Sequence, residues 1–150
     1  MTPLRPRYRS RLATALFDWL NPVPYGLFVG TLIFDIIYAN TAVVLWAKAA
    51  SWLVTVGLLF AIVPRFINLG HVWFGPRGTV TGLERTDFWL NLLGIVAAIV
   101  NAFVHSRDGY AIIPLAVILS VVTVALLSIA QVALALDKYN RFSLPEAARE

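Results

Sequence analysis

Six polar side chains carry most of the chemistry that this chain could perform. They are two aspartates, a lysine, an arginine, a histidine and a tyrosine: Asp35, Tyr38, Lys48, His105, Arg107 and Asp108. Together they offer both signs of charge and an imidazole that titrates near neutral pH. Each lies within or next to a long apolar stretch, where ionisable groups are costly and are usually paired or face a cavity. We therefore predict that they form one polar cluster, which is the candidate functional site.

The same residues also allow a purely structural interpretation. Asp35 would pair with Lys48, Asp108 would cap the turn around it, and Arg107 would extend to lipid headgroups, with no ligand bound. A metal site built from Asp35, His105 and Asp108 is a third interpretation, since carboxylates and imidazole are common ligands, but no ligand spacing supports it. The sequence leaves all three open.

No catalytic motif accompanies these side chains. The chain has no Gly-rich phosphate loop and no pair of metal-binding histidines on one helix face. Ser106 beside His105 is the nearest approach to a nucleophile and its base, but adjacent residues rarely face each other. The sequence favours a non-enzymatic role, although it does not decide the question.

Four apolar stretches surround the polar residues and occupy most of the chain. They cover approximately residues 24–39, 42–69, 88–104 and 112–136. A helix needs roughly 17–25 residues to cross about 30 Å of hydrocarbon, and each stretch is near or above that length. Apolar residues make up 59% of the chain and charged residues 13%, whereas soluble domains have roughly 45–50% and 25%. These features predict an all-α, integral membrane four-helix bundle.

The segments outside the spans are short. Residues 1–20 are basic and are predicted to form a short interfacial helix, residues 21–137 the four-helix domain, and residues 138–150 a cytoplasmic tail. Pro22 and Pro24 predict an extended or turning backbone before the first span. Pro64 predicts a kink near the end of the long second stretch.

Basic residues are concentrated on one side of the spans. Lys48 and Arg107 lie on one side, and the other ten of the 12 lysines and arginines lie in the N-terminal segment, around the middle connection (residues 70–86) and in the tail. The positive-inside rule then places both termini in the cytoplasm and the polar cluster at the outer face. Termini on the same side require an even number of spans, in agreement with four.

Several binding functions can be weighed from the same pattern. The net charge of +4 does not indicate nucleic-acid binding, because the basic residues lie where an orientation signal would place them. His71 and His105 are predicted at opposite ends of the spans, so they cannot share one haem within a monomer. A haem held by one histidine, or shared between subunits, stays an alternative.

Small and amide residues in the spans predict helix packing. Gly26 and Gly30 form a GxxxG pattern, which would support either a homo-oligomer or close packing inside the bundle. Four amides are predicted to form hydrogen bonds between helices: Asn68, Asn91, Asn101 and Gln131.

Three segments carry a family resemblance. Residues 21–38 (NPVPYGLFVGTLIFDIIY), 46–53 (WAKAASWL) and 101–110 (NAFVHSRDGY) resemble, in this order, the bacterial DUF2231 membrane proteins over about residues 21–136. The resemblance implies four spans in a bacterial inner membrane. It also implies an electron-transfer context, because some relatives are fused to cytochrome c modules or encoded near sugar dehydrogenases. Many relatives begin the first span with a His-Pro pair and carry another histidine shortly after, whereas this chain has Asn21-Pro22 and Tyr25.

The sequence thus predicts a non-enzymatic accessory or partner-binding subunit with a polar pocket at its outer, periplasmic face. The alternative is a redox subunit that binds haem b or quinone, although no cofactor is predicted from the residues themselves. Expected partners are membrane lipids, another membrane or periplasmic redox protein, and a second copy of the chain.

Overall fold

The computed structural model describes residues 22–74, 82–107 and 111–143, with side chains for residues 22–62, 85–107, 111–136 and 139. The predicted interfacial helix over residues 1–20, Asp108 and the last part of the tail lie outside the described residues. The side chains of Pro64 and His71 also lie outside them.

Four α-helices make up the described chain, and no strand occurs in it. They are α1 (Pro22–Thr41), α2 (Val44–Phe74), α3 (Gly82–His105) and α4 (Leu115–Ser143). All four are long and apolar enough to cross a membrane. This confirms the predicted all-α four-helix membrane architecture.

The helix ends differ from those predicted by the apolar stretches. Helix α1 begins at Pro22, so both prolines lie in the first helical turn instead of in an extended segment. The absent proline N–H groups cost little there, because the first turn has no intrahelical acceptor for them. Helix α2 continues to Phe74, through part of the connection predicted as a loop, and α4 continues to Ser143. Hydropathy marks the hydrocarbon depth, whereas backbone hydrogen bonding sets where a helix ends.

The helices form a closed ring of neighbours. Helix α1 packs on α2, α2 on α3, α3 on α4, and α4 on α1. Ala42 and Val43 alone separate α1 from α2, and Ala42 has a φ of 55°, which lets the chain reverse direction within two residues. The turn from α1 to α2 lies at the same end of the bundle as the connection from α3 to α4. We call this end the Lys48 end.

Each helix buries one seam of residues spaced three and four apart, as in coiled-coil packing. Polar residues occupy this seam in three of the helices. The buried residues include Thr31 and Asp35 on α1, Asn91, Asn101 and His105 on α3, and Ser120 and Thr123 on α4. Large apolar side chains point outward instead, such as Leu59 and Phe103. These seven polar side chains therefore face the bundle interior.

Two apolar clusters hold the bundle together. One contains Phe28, Val54, Ala61, Ile95, Ala98 and Leu127. The other lies towards the Lys48 end and contains Tyr38, Ala47, Val104, Ile112 and Ala116. Tyr38 therefore packs among apolar residues, although the sequence grouped it with the polar cluster.

Three glycines differ in how closely another helix approaches them. A Cβ atom on Gly30 would lie 3.0 Å from Leu53 Cδ1, and one on Gly57 would lie 2.9 Å from the ring of buried Phe28. A Cβ atom on Gly26 would meet nothing within 4 Å. Within the described residues, the GxxxG pattern therefore serves packing inside the bundle at Gly30, while Gly26 stays open.

Gly57→Ala should destabilise the protein by about 1 kcal/mol, because overpacking against Phe28 outweighs the gain in helix propensity. Gly26→Ala is the matched control and should stabilise by up to about 1 kcal/mol through propensity alone. The free energy of unfolding can be measured by SDS titration in mixed micelles. Equal effects of the two substitutions would show that α1 and α2 do not meet at Gly57.

Candidate functional site at the Lys48 end

A hydrogen-bonded network of four buried side chains lies between the two apolar clusters. His105 Nε2 lies 2.8 Å from Asp35 Oδ1, and Ser120 Oγ donates to Asp35 Oδ2 at 2.6 Å. Asn101 Nδ2 donates to Ser120 Oγ at 2.7 Å. The network joins α1, α3 and α4, and both carboxylate oxygens of Asp35 have partners. We call these four residues the Asp35 network.

The hydrogen bond at the second ring nitrogen of His105 shows that this nitrogen carries a hydrogen. Nδ1 is 2.9 Å from the backbone carbonyl oxygen of Asn101, which can only accept. Nδ1 therefore carries a hydrogen. One further proton lies between Nε2 and the Asp35 carboxylate, either as an imidazolium–carboxylate pair or as a neutral pair. Both arrangements have zero net charge, which suits a buried site in a membrane protein.

The helical register explains why these residues meet. Asn101 and His105 are four residues apart on α3, so they lie on one face and on successive turns. Ser120 lies on the seam of α4 between Ala116 and Thr123, all of which are buried. Asp35 occupies the corresponding seam of α1. Packing of three seams therefore brings the four side chains to one level.

The network contains the residue types of a serine hydrolase without its connections. In a catalytic triad the serine hydroxyl contacts the imidazole, which removes its proton. Here Ser120 donates to Asp35 instead, and Ser120 is only 2% exposed. Ser106 donates to the carbonyl oxygen of Phe103, so it is not paired with His105 either. Neither serine is positioned for activation by His105.

A cavity of about 250 Å³ opens beside this network. The described residues that line the cavity are of two kinds. Four are polar, namely Lys48, Ser51, His105 and Arg107, and four are apolar, namely Val44, Ala47, Trp52 and Ile112. Lys48 and Arg107 are exposed, and Trp52 is 72% exposed. No acidic residue is among the described residues that line it. His105 is the one member of the Asp35 network among the cavity residues, and it reaches the cavity through its backbone, because its side chain is 0% exposed.

The predicted cluster is thus divided between two places. Lys48, His105 and Arg107 meet at the cavity, as proposed from the sequence. Asp35 lies behind His105 in the buried network and does not pair with Lys48, because His105 and Ser120 occupy both of its oxygens. Asp108 lies outside the described residues.

Sequence reasoning missed Ser120, which is the second partner of Asp35. The signal was the spacing of small and polar residues along α4, where Ala116, Ser120, Thr123, Leu127 and Ala130 form one buried face. It also missed the cavity residues Ser51 and Trp52, for which the sequence carries no distinguishing pattern.

The predicted interhelical role of Asn101 is confirmed by its bond to Ser120. Asn91 donates to Asp87 on its own helix, and Gln131 is exposed. The Asn68 side chain lies outside the described residues. Asn101 Oδ1 and Thr123 Oγ1 are buried without a hydrogen-bond partner among the described residues.

Comparison with known proteins assigns the family. The family model described as "Predicted membrane protein (DUF2231)" matches residues 19–133. The chain belongs to the DUF2231 family. No curated protein and no solved structure matches it.

The geometry at His105 bears on the metal and haem alternatives for this DUF2231 protein. Both imidazole nitrogens already have hydrogen-bond partners. A metal ion or haem iron bound at Nε2 would replace the bond to Asp35 and leave the carboxylate with Ser120 alone. Among the described residues, no three His, Asp or Glu side chains converge.

We expect strong energetic coupling between Asp35 and His105 in this DUF2231 protein. Asp35→Asn should destabilise it by about 2–4 kcal/mol, because an amide cannot replace both carboxylate oxygens and leaves a buried polar partner unsatisfied. His105→Gln should have a similar cost, and the double variant should lose less than the sum by about 1–3 kcal/mol. Unfolding in mixed micelles provides all the required free energies.

Lys48→Met is the matched control for this cycle, because it removes a charge at the cavity and keeps an apolar stem. Its effect should add to that of Asp35→Asn within about 0.5 kcal/mol. The opposite result would contradict the Asp35 network: coupling between Asp35→Asn and Lys48→Met, together with additive effects of Asp35→Asn and His105→Gln. It would show that Asp35 pairs with Lys48.

Proposed function

We propose that this DUF2231 protein is a non-enzymatic accessory subunit of a bacterial inner membrane, and that it binds a ligand or partner in the cavity at the Lys48 end. The periplasmic side is the proposed location of that end. The observation that carries the proposal is the position of His105, whose backbone lies at the cavity and whose fully buried side chain belongs to the Asp35 network.

This shared residue gives the cavity a fixed wall. The His105 imidazole is fully buried and is held at Nδ1 by Asn101 and at Nε2 by Asp35, which fixes the end of α3 whose backbone lines the cavity. Preformed walls favour binding, because less conformational freedom is lost when an occupant arrives. An occupant would contact this end of α3 together with residues of α2, so binding would stabilise the packing of these helices.

The non-enzymatic part of the proposal is supported by the connections of the serine residues. Ser120 donates to Asp35, and Ser106 donates to a backbone carbonyl, so neither has His105 as a base. The cavity also holds the Ser51 hydroxyl and the two cations, Lys48 and Arg107, but no carboxylate or exposed imidazole lies among its described residues to act as a base. Cations beside a hydroxyl without a general base suit binding better than bond cleavage.

The orientation is supported by charge. Ten of the 12 lysines and arginines lie away from the Lys48 end in the sequence. Segments rich in Lys and Arg stay in the cytoplasm, which leaves the cavity at the periplasmic side.

A redox subunit that holds a quinone in the same cavity is the second candidate. Lys48 and Arg107 could donate to a quinone carbonyl oxygen, and the Trp52 indole offers an aromatic wall. This candidate agrees with the electron-transfer context that the family resemblance implies. A quinone in the cavity would leave the hydrogen bond between His105 and Asp35 intact, whereas a haem iron bound at Nε2 would break it.

One experiment tests the location and the occupancy of the cavity together. The chain has no cysteine, so Ser51→Cys gives a single thiol inside the cavity. A membrane-impermeant, photoactivatable thiol reagent added to spheroplasts should label it, and irradiation should then give one defined adduct. Tyr139→Cys is the matched control at the other end of the bundle, and it should be labelled only after lysis.

The adduct identifies the occupant by mass spectrometry. One defined protein or lipid attached through Ser51→Cys supports the accessory subunit, whereas an attached quinone supports the redox candidate. Labelling of Tyr139→Cys from outside in place of Ser51→Cys would overturn the orientation. Labelling of Ser51→Cys without any adduct would overturn the binding function.

A further inference from the structure

The two basic side chains at the Lys48 end converge on one cavity although they are far apart in sequence. Lys48 is the one lysine or arginine within residues 22–62, and Arg107 is the one within residues 88–136. Both line the same cavity. A pair of boundary charges that served only to reach lipid headgroups would have no reason to share a cavity.

The positive charge of this pair is not balanced by Asp35. That carboxylate is 1% exposed and bonds to His105 and Ser120, so it does not reach either cation. The Asp35 network has zero net charge in either of its protonation arrangements. Among the described residues, the cavity therefore presents two cations and no carboxylate.

The rest of the cavity suits the apolar part of a small amphiphile. Val44, Trp52 and Ile112 line it beside the cations. The cavity has a volume of about 250 Å³ and is half open to the outside. That space accepts a phosphate or carboxylate with the first carbon atoms of its attachment, and a longer apolar attachment would extend out of it.

We propose that this cavity binds one anionic group, a phosphate or carboxylate, between Lys48 and Arg107, with the apolar attachment against Trp52. The inference deepens the proposed function and rests on it for the existence of a binding cavity. Ammonium and guanidinium donors form strong charge-assisted hydrogen bonds with such oxygens. The anionic group of a lipid headgroup and a small free anion share this chemistry.

The test titrates purified protein in a non-ionic detergent and follows the melting temperature by tryptophan fluorescence. The probes are dihexanoyl phosphatidylglycerol, which is anionic, dihexanoylglycerol, which has the same chains and no phosphate, and inorganic phosphate. We expect the anionic lipid to raise the melting temperature at lower concentrations than the uncharged one. The effect should weaken as sodium chloride is added, because salt screens exposed charges.

Variants locate the effect. Lys48→Gln and Arg107→Gln should each weaken binding of the anionic probe by about tenfold. Arg85→Gln is the matched control, since Arg85 is exposed near the opposite end of the bundle, and it should bind as the wild type does. Because both cavity cations are exposed, each variant should keep nearly the wild-type melting temperature without probe.

The outcomes separate the sources of the anion. Lys48-dependent stabilisation by inorganic phosphate alone would identify a free anion, whereas stabilisation only by phosphatidylglycerol would identify a headgroup with its attachment. Equal effects of the two lipids, or equal losses in Lys48→Gln and Arg85→Gln, would overturn the proposal. A neutral occupant captured through Ser51→Cys would overturn the proposal of anion binding but would keep the proposed binding function. An empty cavity in that experiment would overturn both proposals.

Discussion

The contact between Asp35 and His105 determines where polar groups can lie inside this bundle. A single charge buried at membrane depth is expensive, and a pair is tolerated only when it is well oriented and its remaining hydrogen-bonding groups are satisfied. Ser120 and the Asn101 carbonyl supply those additional bonds. Because the partners come from α1, α3 and α4, the pair also requires three helices to keep one relative register. The helix arrangement and the site therefore depend on each other.

The same contact decides which residues at the Lys48 end can meet a ligand. It keeps Asp35 inside the protein and fixes the end of α3 whose backbone lines the cavity. Lys48 and Arg107 then meet at the cavity without a described carboxylate between them. Side chains that looked like one cluster of mixed charge thus divide into a buried hydrogen-bonded part and an exposed cationic part. The proposed functions of the cavity rest on this division.

The sequence predicted the architecture more fully than the contacts. Four apolar stretches of spanning length were enough to predict four helices, because hydrocarbon thickness imposes that length. The continuation of α2 through Phe74 was not predictable from hydropathy, since it depends on backbone hydrogen bonds outside the apolar stretches. The partners of Asp35 depended on the rotation of α1 against α3 and α4. Nearness in sequence favoured Lys48 as the partner of Asp35, whereas the packing of the buried seams makes His105 and Ser120 its partners.

The imidazole of His105 offers the most direct test of the account. The chain has two histidines, so His71→Gln leaves His105 as the single source of signal in protein labelled with ¹⁵N-histidine. The account predicts a protonated Nδ1 and hydrogen bonds at both nitrogens, with an Nε2 resonance that moves in Asp35→Asn and not in Lys48→Met. A solvent-exposed imidazole with mixed tautomers, unchanged by Asp35→Asn, would contradict it.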